Sequence, residues 1–358
     1  MAGTGGSEDN TERNTLFWMC QNSVTRVNPC SSVAVFILFC RTLVKKILLV
    51  RNDNIGDLIC SIPAIQLIRE HCAAAQIHLL VNSYNAPAVE ALVPGWVDRL
   101  IVYRKTKHVG FNFHQLAYLI RFYRNLRREG YDAVVLLVGG RSRQSESFAR
   151  WSGAEYILGY GLDHGSPRFQ EGHHELEYSW DLANHLCGIK KDPPVQIEYP
   201  IRATGLRTAI QITSRKAGNR WEAQQFAELA RQIHAHKMEK PLLLWSPGNA
   251  NTLTHPGDDD KAADILELAP IAVEPRPTAT LQDLISVLQE CRSLITPDGG
   301  AMHLAAAMGV RIVAMFGQSD PIRWRPWTPH ARILQSPSHT IQDIKVKEVV
   351  NAWLELNG

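Results

Sequence analysis

The chain has 358 residues, more than one hydrophobic core usually fills, so two domains are expected. Hydrophobic residues make up 45% and charged residues 20%, which excludes disordered and collagen-like classes. With 38 Lys plus Arg against 35 Asp plus Glu the net charge is only +3, so a nucleic-acid partner is not expected, while an anionic substrate is compatible.

Residues 1–44 form an extension before the first regular pattern. Within it Val33 to Cys40 (VAVFILFC) is apolar, but far shorter than the roughly 18–20 residues a spanning helix needs. Acidic and polar residues precede the run and no small-residue cleavage site follows, which argues against a signal peptide. It reads either as a buried first element or upstream extension, or as an interfacial anchor, since Arg41, Lys45 and Lys46 follow it. The seven cysteines form no C-x-x-C pair, so a reducing compartment is expected, with Cys20, Cys30 and Cys40 as free thiols.

From Lys45 onward short β-branched runs alternate with helical patterns, the signature of parallel sheets with crossover helices. Strands are predicted at 46–50, 77–81, 99–103 and 133–138 in the first half, and at 209–213, 242–246, 271–273, 293–296 and 311–316 in the second. Between the third and fourth runs, Phe113, Leu116, Ile120, Tyr123 and Leu126 recur at helical spacing and predict a buried stripe. The other face, with Arg121, Arg124, Arg127 and Arg128, reads as solvated. A Pro-rich, charged stretch near 190–205 marks a linker, giving units at 45–190 and 207–358 joined by 191–206. Val349, Val350, Trp353 and Leu354 share one face of a closing helix at the end of the second unit.

The first strand feeds directly into RNDNIGDLICSIPAI (51–65), and in open α/β sheets ligands sit beyond the carboxyl ends of strands. Gly56 is expected to permit a tight or left-handed turn, with Asp57 opening a helix either as an N-cap or as the base that takes a proton from an attacking hydroxyl. Asp53 is the weaker candidate. In the second unit TPDGGAMHLAAAMG (296–309) places Asp298, Gly299 and Gly300 at a strand-to-helix turn whose free N–H groups suit a phosphate. Asp298 suits ribose hydroxyls. His303, one turn on, either donates to a phosphate oxygen or is a satisfied histidine at the domain edge. Asp258, Asp259 and Asp260 read as a solvated turn or helix start, and HHELEY (173–178) lacks the second histidine of a zinc helix. No G-x-G-x-x-G follows the first strand, which argues against a nicotinamide-dependent oxidoreductase.

These two motifs, in this order and together with YDAVVLLVGGRSR (131–143), GNRWEAQQFAEL (218–229) and VAMFGQSDP (313–321), make the chain resemble glycosyltransferase family 9, the heptosyltransferase family, over residues 45–357. The resemblance implies an α/β GT-B fold, two Rossmann-like domains facing each other across a cleft, with the acceptor on the first and the donor on the second. It implies an inverting transfer without a metal or other cofactor, probed by Asp57 as base. Residue by residue it matches Asp298, Gly300 and His303 to the nucleotide-diphosphate site; beside them Ser214, Arg215, Lys216, Arg220 and Gly299 are expected at the donor, and Asn54, Gly56, Arg141 and Arg143 on the acceptor side. Two residues depart from the family's pattern: Gly299 replaces a Ser or Thr, and Asn219 replaces a lysine, leaving Arg215, Lys216 or Arg220 to meet the charge of a departing diphosphate. The implied partners are a nucleotide diphosphate sugar, foremost ADP-heptose, and an anionic glycolipid such as a lipopolysaccharide core. A bacterial cytoplasmic location follows, with peripheral contact at the cytoplasmic face of the inner membrane. The alternative is a nucleotide-sugar-binding protein of the same fold that has lost turnover.

Overall fold

A computed structural model describes residues 44–104, 113–162, 166–214, 217–249 and 257–358. The readings of the first 43 residues, and of Arg215 and Lys216, lie outside the described residues. Five strands, β1 (Lys46–Val50), β2 (Gln76–Asn82), β3 (Arg99–Tyr103), β4 (Ala133–Leu136) and β5 (Tyr156–Leu158), form a parallel sheet ordered β3-β2-β1-β4-β5. Its helices are α1 (Ile55–Cys60), α2 (Ile62–His71), α3 (Phe113–Arg128), α4 (Arg143–Ser152) and α5 (Glu175–Cys187). Along β1, Ile47 and Leu49 enter one core while Leu48 and Val50 enter the other. A strand covered on both faces must be apolar wherever it is buried, which is why ILLV (47–50) reads as an unbroken run after Lys46.

The second sheet, also parallel, contains β6 (Arg207–Gln211), β7 (Leu242–Trp245), β8 (Glu274–Pro277), β9 (Cys291–Pro297), β10 (Arg311–Phe316) and β11 (Ala331–Gln335), ordered β11-β10-β9-β6-β7-β8. Around it lie α6 (Ala223–Lys237), α7 (Asp259–Leu268), α8 (Leu281–Gln289), α9 (Gly300–Ala307), α10 (Pro321–Trp324) and α11 (Val346–Asn357). In each sheet the strand order reverses beside the first strand of the unit, so a crevice opens at the carboxyl ends of β1 and β4 and another at those of β6 and β9. The two units are the Rossmann-like domains of a GT-B fold. No regular strand or helix occurs between α5 and β6, where the chain passes from one sheet to the other.

Strands β5 and β11 are not among those predicted, and two further elements differ from the sequence pattern. The apolar run 271–273 is not a strand: the pairing falls on the next four residues, EPRP, because β8 is an edge strand where the missing proline N–H is tolerated. In α3 only Tyr123 and Leu126 of the predicted stripe turn inward. Leu126 is buried and Tyr118, Leu119, Phe122 and Tyr123 pack on the β4 side of the sheet, while Phe113, Leu116 and Ile120 are exposed.

Candidate active site

Asp57 stands at the third position of α1, so it is not the cap; Asn54 is, and it makes no side-chain cap. Its carboxylate instead accepts hydrogen bonds from Arg51 (Nη2 to Oδ1, 3.1 Å) and Asn54 (Nδ2 to Oδ2, 3.0 Å), which fix both oxygens at the mouth of the first crevice. Asn52 ties the same loop to α4 through Gln144 (3.0 Å) and Ser145 (2.8 Å). Gly56 lies inside the helix and no left-handed turn occurs there. The reason for glycine is contact: a Cβ would fall 2.6 Å from Cδ2 of His303, on α9 of the other domain. Likewise a Cβ on Gly300 would meet Ile55 at 3.1 Å, so α1 and α9 pack with glycines turned to the partner helix.

This contact yields a prediction. Gly56→Ala should lower stability by about 1–3 kcal/mol through overpacking, and a large part of that loss should vanish in a His303→Ala background, where the ring is gone. Denaturant melts of the four chains measure the coupling; equal costs in both backgrounds would refute it.

Arg51 is fully buried and gathers three carboxylates: Asp53 at 3.0 Å, Asp57 at 3.1 Å and Glu175 at 2.6 Å. It also donates to the Leu137 carbonyl. Burial opposes its charge, but the three carboxylates hold its pKa above the ordinary value. Glu175, at the start of α5, is shared with Arg323 of α10, whose Nη2 lies 2.8 Å from Oε2 and also donates to the Gly139 carbonyl at 3.2 Å. Burial works against ionised Glu175, yet the two arginines keep its pKa below the usual range. Enclosure, with Asp57 and Glu175 adding repulsion, pushes Asp53 up to about 7 despite Arg51. The sequence reading missed Arg51, Glu175 and Arg323. The available signal was an arginine directly at the carboxyl end of a buried strand, where a charge needs partners.

On the second domain Asp298 follows β9 and accepts from Asn219 (Nδ2 to Oδ2, 3.3 Å), which also reaches Ser319 Oγ at 3.3 Å. Asn219 thus occupies the expected lysine's position as a buried spacer beside Asp298. Gly299 and Gly300 open α9 as expected from the sequence. His303 is buried, its Nδ1 3.6 Å from Cys60 Sγ, and burial pushes its pKa down against the pull of Asp298 and Asp57. The ring is packed against Gly56 and Cys60 of α1. Arg220 donates to the carbonyl of buried Ser214 (2.9 Å) and pairs with Asp258 at 3.5 Å. These acids form the helix start expected from the sequence: Asp258 is the buried N-cap of α7, while Asp259 and Asp260 are exposed in its first turn, and Asp259 accepts from Trp245 Nε1 (2.8 Å) and Gly248 N (2.8 Å). Asp259 thereby satisfies the indole N–H of Trp245 at the end of β7.

Arg141 and Arg143 stand beyond β4, on the first-domain side, and line a recess of about 430 Å³ with Glu146, Ser147, Arg150 and Trp151. Arg141 grips Glu146 with two hydrogen bonds (3.0 and 3.1 Å), which hold the glutamate's pKa below its usual value. Three arginines against one glutamate leave the recess cationic.

The domains also meet at His174, the N-cap of α5. Its Nδ1 accepts from Leu176 N (3.1 Å), so Nε2 carries the proton and donates to the Arg325 carbonyl at 2.8 Å, while the ring packs on Trp327. Burial pushes the His174 pKa down to about 3. A depressed histidine stabilises the fold above its unfolded pKa of roughly 6.5 and loses that contribution as pH falls towards 3. Stability should therefore drop by about 2 kcal/mol between pH 7 and pH 5 from this group, and His174→Gln should flatten that part of the profile in thermal melts. An unchanged profile would show that His174 is not kept neutral.

The paired Rossmann-like domains, with a carboxylate loop on one and a Gly-rich turn on the other, define a glycosyltransferase of the GT-B class. Residues 119–353 match the profile of glycosyltransferase family 9 (heptosyltransferase), and the chain belongs to that family. Among curated relatives, lipopolysaccharide heptosyltransferase 3 of Escherichia coli is 28% identical over 33% of this chain and 33% of its own length. The lipooligosaccharide heptosyltransferase 2 of Campylobacter jejuni is 22% identical over 76% of this chain and 81% of its own. In structure, E. coli heptosyltransferase WaaC with ADP superposes with a TM-score of 0.72 at 17% identity, covering 87% of this chain and 100% of that one. A family 9 glycosyl transferase from Veillonella parvula gives 0.72 at 19% identity, over 87% and 97%. These likenesses establish the fold. Among the described residues, no helix is long and apolar enough to cross a membrane.

Proposed function

We propose that the enzyme moves a sugar from a nucleotide diphosphate, foremost heptose from ADP-heptose, onto an anionic envelope glycolipid of the lipopolysaccharide-core kind, with inversion and without a metal. The observation that supports this reading is the packing of α1 on α9, in which Ile55 and Gly56, the residues before Asp57, meet Gly300 and His303 of the Gly-rich turn and its helix. Asp57 takes the acceptor hydroxyl proton, the acceptor oxygen bonds to the anomeric carbon, and the bond from that carbon to the diphosphate oxygen breaks. Charge on the leaving diphosphate is met by the N–H groups at the start of α9 and by the cationic stretch that follows β6 in sequence, Ser214, Arg215, Lys216 and Arg220. Arg141 and Arg143, and Asn54 on the Asp57 loop, face the acceptor, whose phosphates or carboxylates the arginines pair with, while Gly56 is taken up by the contact with His303. The names of the relatives support heptose as the sugar, and the ADP complex of one structural neighbour supports adenine as the base.

A ligand that binds only the folded chain raises its melting temperature. ADP should therefore shift the melt more than UDP, GDP or a nicotinamide dinucleotide, and Asp298→Ala should abolish the shift. A preference for UDP or GDP would overturn the donor, and no shift with any would overturn the donor site. Asn219 in the place of a lysine favours a second reading, a binding protein without turnover; consumption of ADP-heptose in the presence of acceptor decides against it.

A further inference from the structure

We propose that the exposed face of α3 docks the enzyme on an anionic phospholipid bilayer. Sequence periodicity predicts that Phe113, Leu116 and Ile120 turn inward, but Phe113 is 81% exposed and Ile120 50% exposed. The helix is held instead by its other side, through Leu126 and the aromatic residues around Tyr103 and Phe148. The outward face is divided along its length. Its first two turns expose Phe113, Leu116, Ala117 and Ile120 with a single histidine, His114, and its last two expose Arg121, Arg124, Arg127 and Arg128. No acidic residue interrupts α3.

A cationic face alone is ordinarily solvated. An apolar half continuous with it is not explained by solvation, and the combination is what an interfacial helix presents: apolar side chains entering the acyl boundary, guanidinium groups meeting phosphates. The charge selects the occupant, since a neutral protein groove or a second copy of this cationic face offers the arginines nothing to pair with.

Position in the fold adds a second argument. Strand β3 ends at Tyr103, and the next residue, Arg104, donates its N–H to Tyr118 of α3 at 2.8 Å, so the apolar half of α3 sits at the carboxyl edge of the sheet. That edge also carries the Asp57 loop and the arginine recess. Tyr123 of α3 touches Trp151, itself 57% exposed at the recess, at a ring separation of 5.6 Å. A bilayer on α3 would thus lie beside the recess assigned to the acceptor. The docking surface rests on the proposed function only for this last point, the reason a membrane is useful.

The test uses the full chain and vesicles without any acceptor, so it does not depend on turnover. Sedimentation is measured with vesicles of phosphatidylcholine alone and of phosphatidylcholine mixed with phosphatidylglycerol. The wild-type chain should bind the anionic vesicles and not the neutral ones, and binding should weaken with salt. Phe113→Ser with Ile120→Ser, and separately Arg121→Gln with Arg124→Gln, should each weaken binding by ~10-fold or more. The ADP-induced melting shift should be unchanged in both, which separates a failed docking surface from a failed donor site. Absence of vesicle binding would overturn the proposal. So would binding that both double variants retain, which would assign it elsewhere, such as the apolar run 33–40, or a self-association that the variants abolish without any vesicle binding.

Discussion

Asp57→Asn should lower the rate of sugar transfer by about 10²–10⁴-fold, the range that a positioned general base contributes, while the donor still binds and the fold is kept. The substitution is close to isosteric, and an amide can keep its oxygen on the Arg51 guanidinium at Oδ1's place. It cannot accept the acceptor's proton. A drop confined to kcat, with the ADP-induced melting shift retained, would fit loss of a group that acts in the transition state. Asp53→Asn is the natural companion, because Asp53 is held on the same arginine and its pKa, pushed up to about 7, is well placed for a base. If Asp53→Asn abolished transfer and Asp57→Asn did not, the proton would go to Asp53. Wild-type rates in both would move the base out of this loop altogether.

The comparison of the two aspartates shows where sequence reasoning works and where it stops. Both were visible because they follow the unbroken apolar run Ile47 to Val50, and a parallel strand buried on two faces announces its own end. The same logic located the turn at Asp298 behind β9. What could not be read was which partner each charge takes. Glu175 is 124 residues from Arg51 and 148 from Arg323, and only the packing of α5 between the two sheets brings them together. Gly56 was legible as a special position, but the turn chemistry that glycine usually signals was the wrong cause; the close approach of His303 from the other domain is invisible in one linear motif. α3 failed differently. Its apolar residues do recur at helical spacing, but they cover more than one face, and the sheet takes the aromatic side, leaving Phe113 and Ile120 outside. β8 escaped because EPRP carries the residues a strand normally avoids, which an edge position allows.

Arg51→Met should produce the largest loss of stability of any single change in the site. The methionine is similar in length and apolar, so it fills the space. It leaves Asp53, Asp57 and Glu175 converging on a centre with no cation, where removing one partner of a buried ion pair costs about 3–5 kcal/mol. For a domain of this size that corresponds to a fall in melting temperature of about 10 °C. The loss should be greatest near pH 8 and shrink towards pH 5. Without Arg51 the carboxylates are easier to protonate in the folded chain than in the unfolded one, so their unfavourable contribution grows as pH rises through the raised folded values. Arg51→Lys should fall between the two, since one ammonium group keeps the charge but cannot reach three carboxylates and the Leu137 carbonyl together. Adding Glu175→Leu to Arg51→Met should recover part of the stability, because it removes a buried charge along with its partner. It should not restore transfer, because Asp57 would still lack its guanidinium and Arg323 would lose its anchor across the domain interface. If Arg51→Met melted with the wild-type chain at pH 8, the three carboxylates would not be charged together in the folded protein, and the orientation of Asp57 would have to come from Asn54 alone.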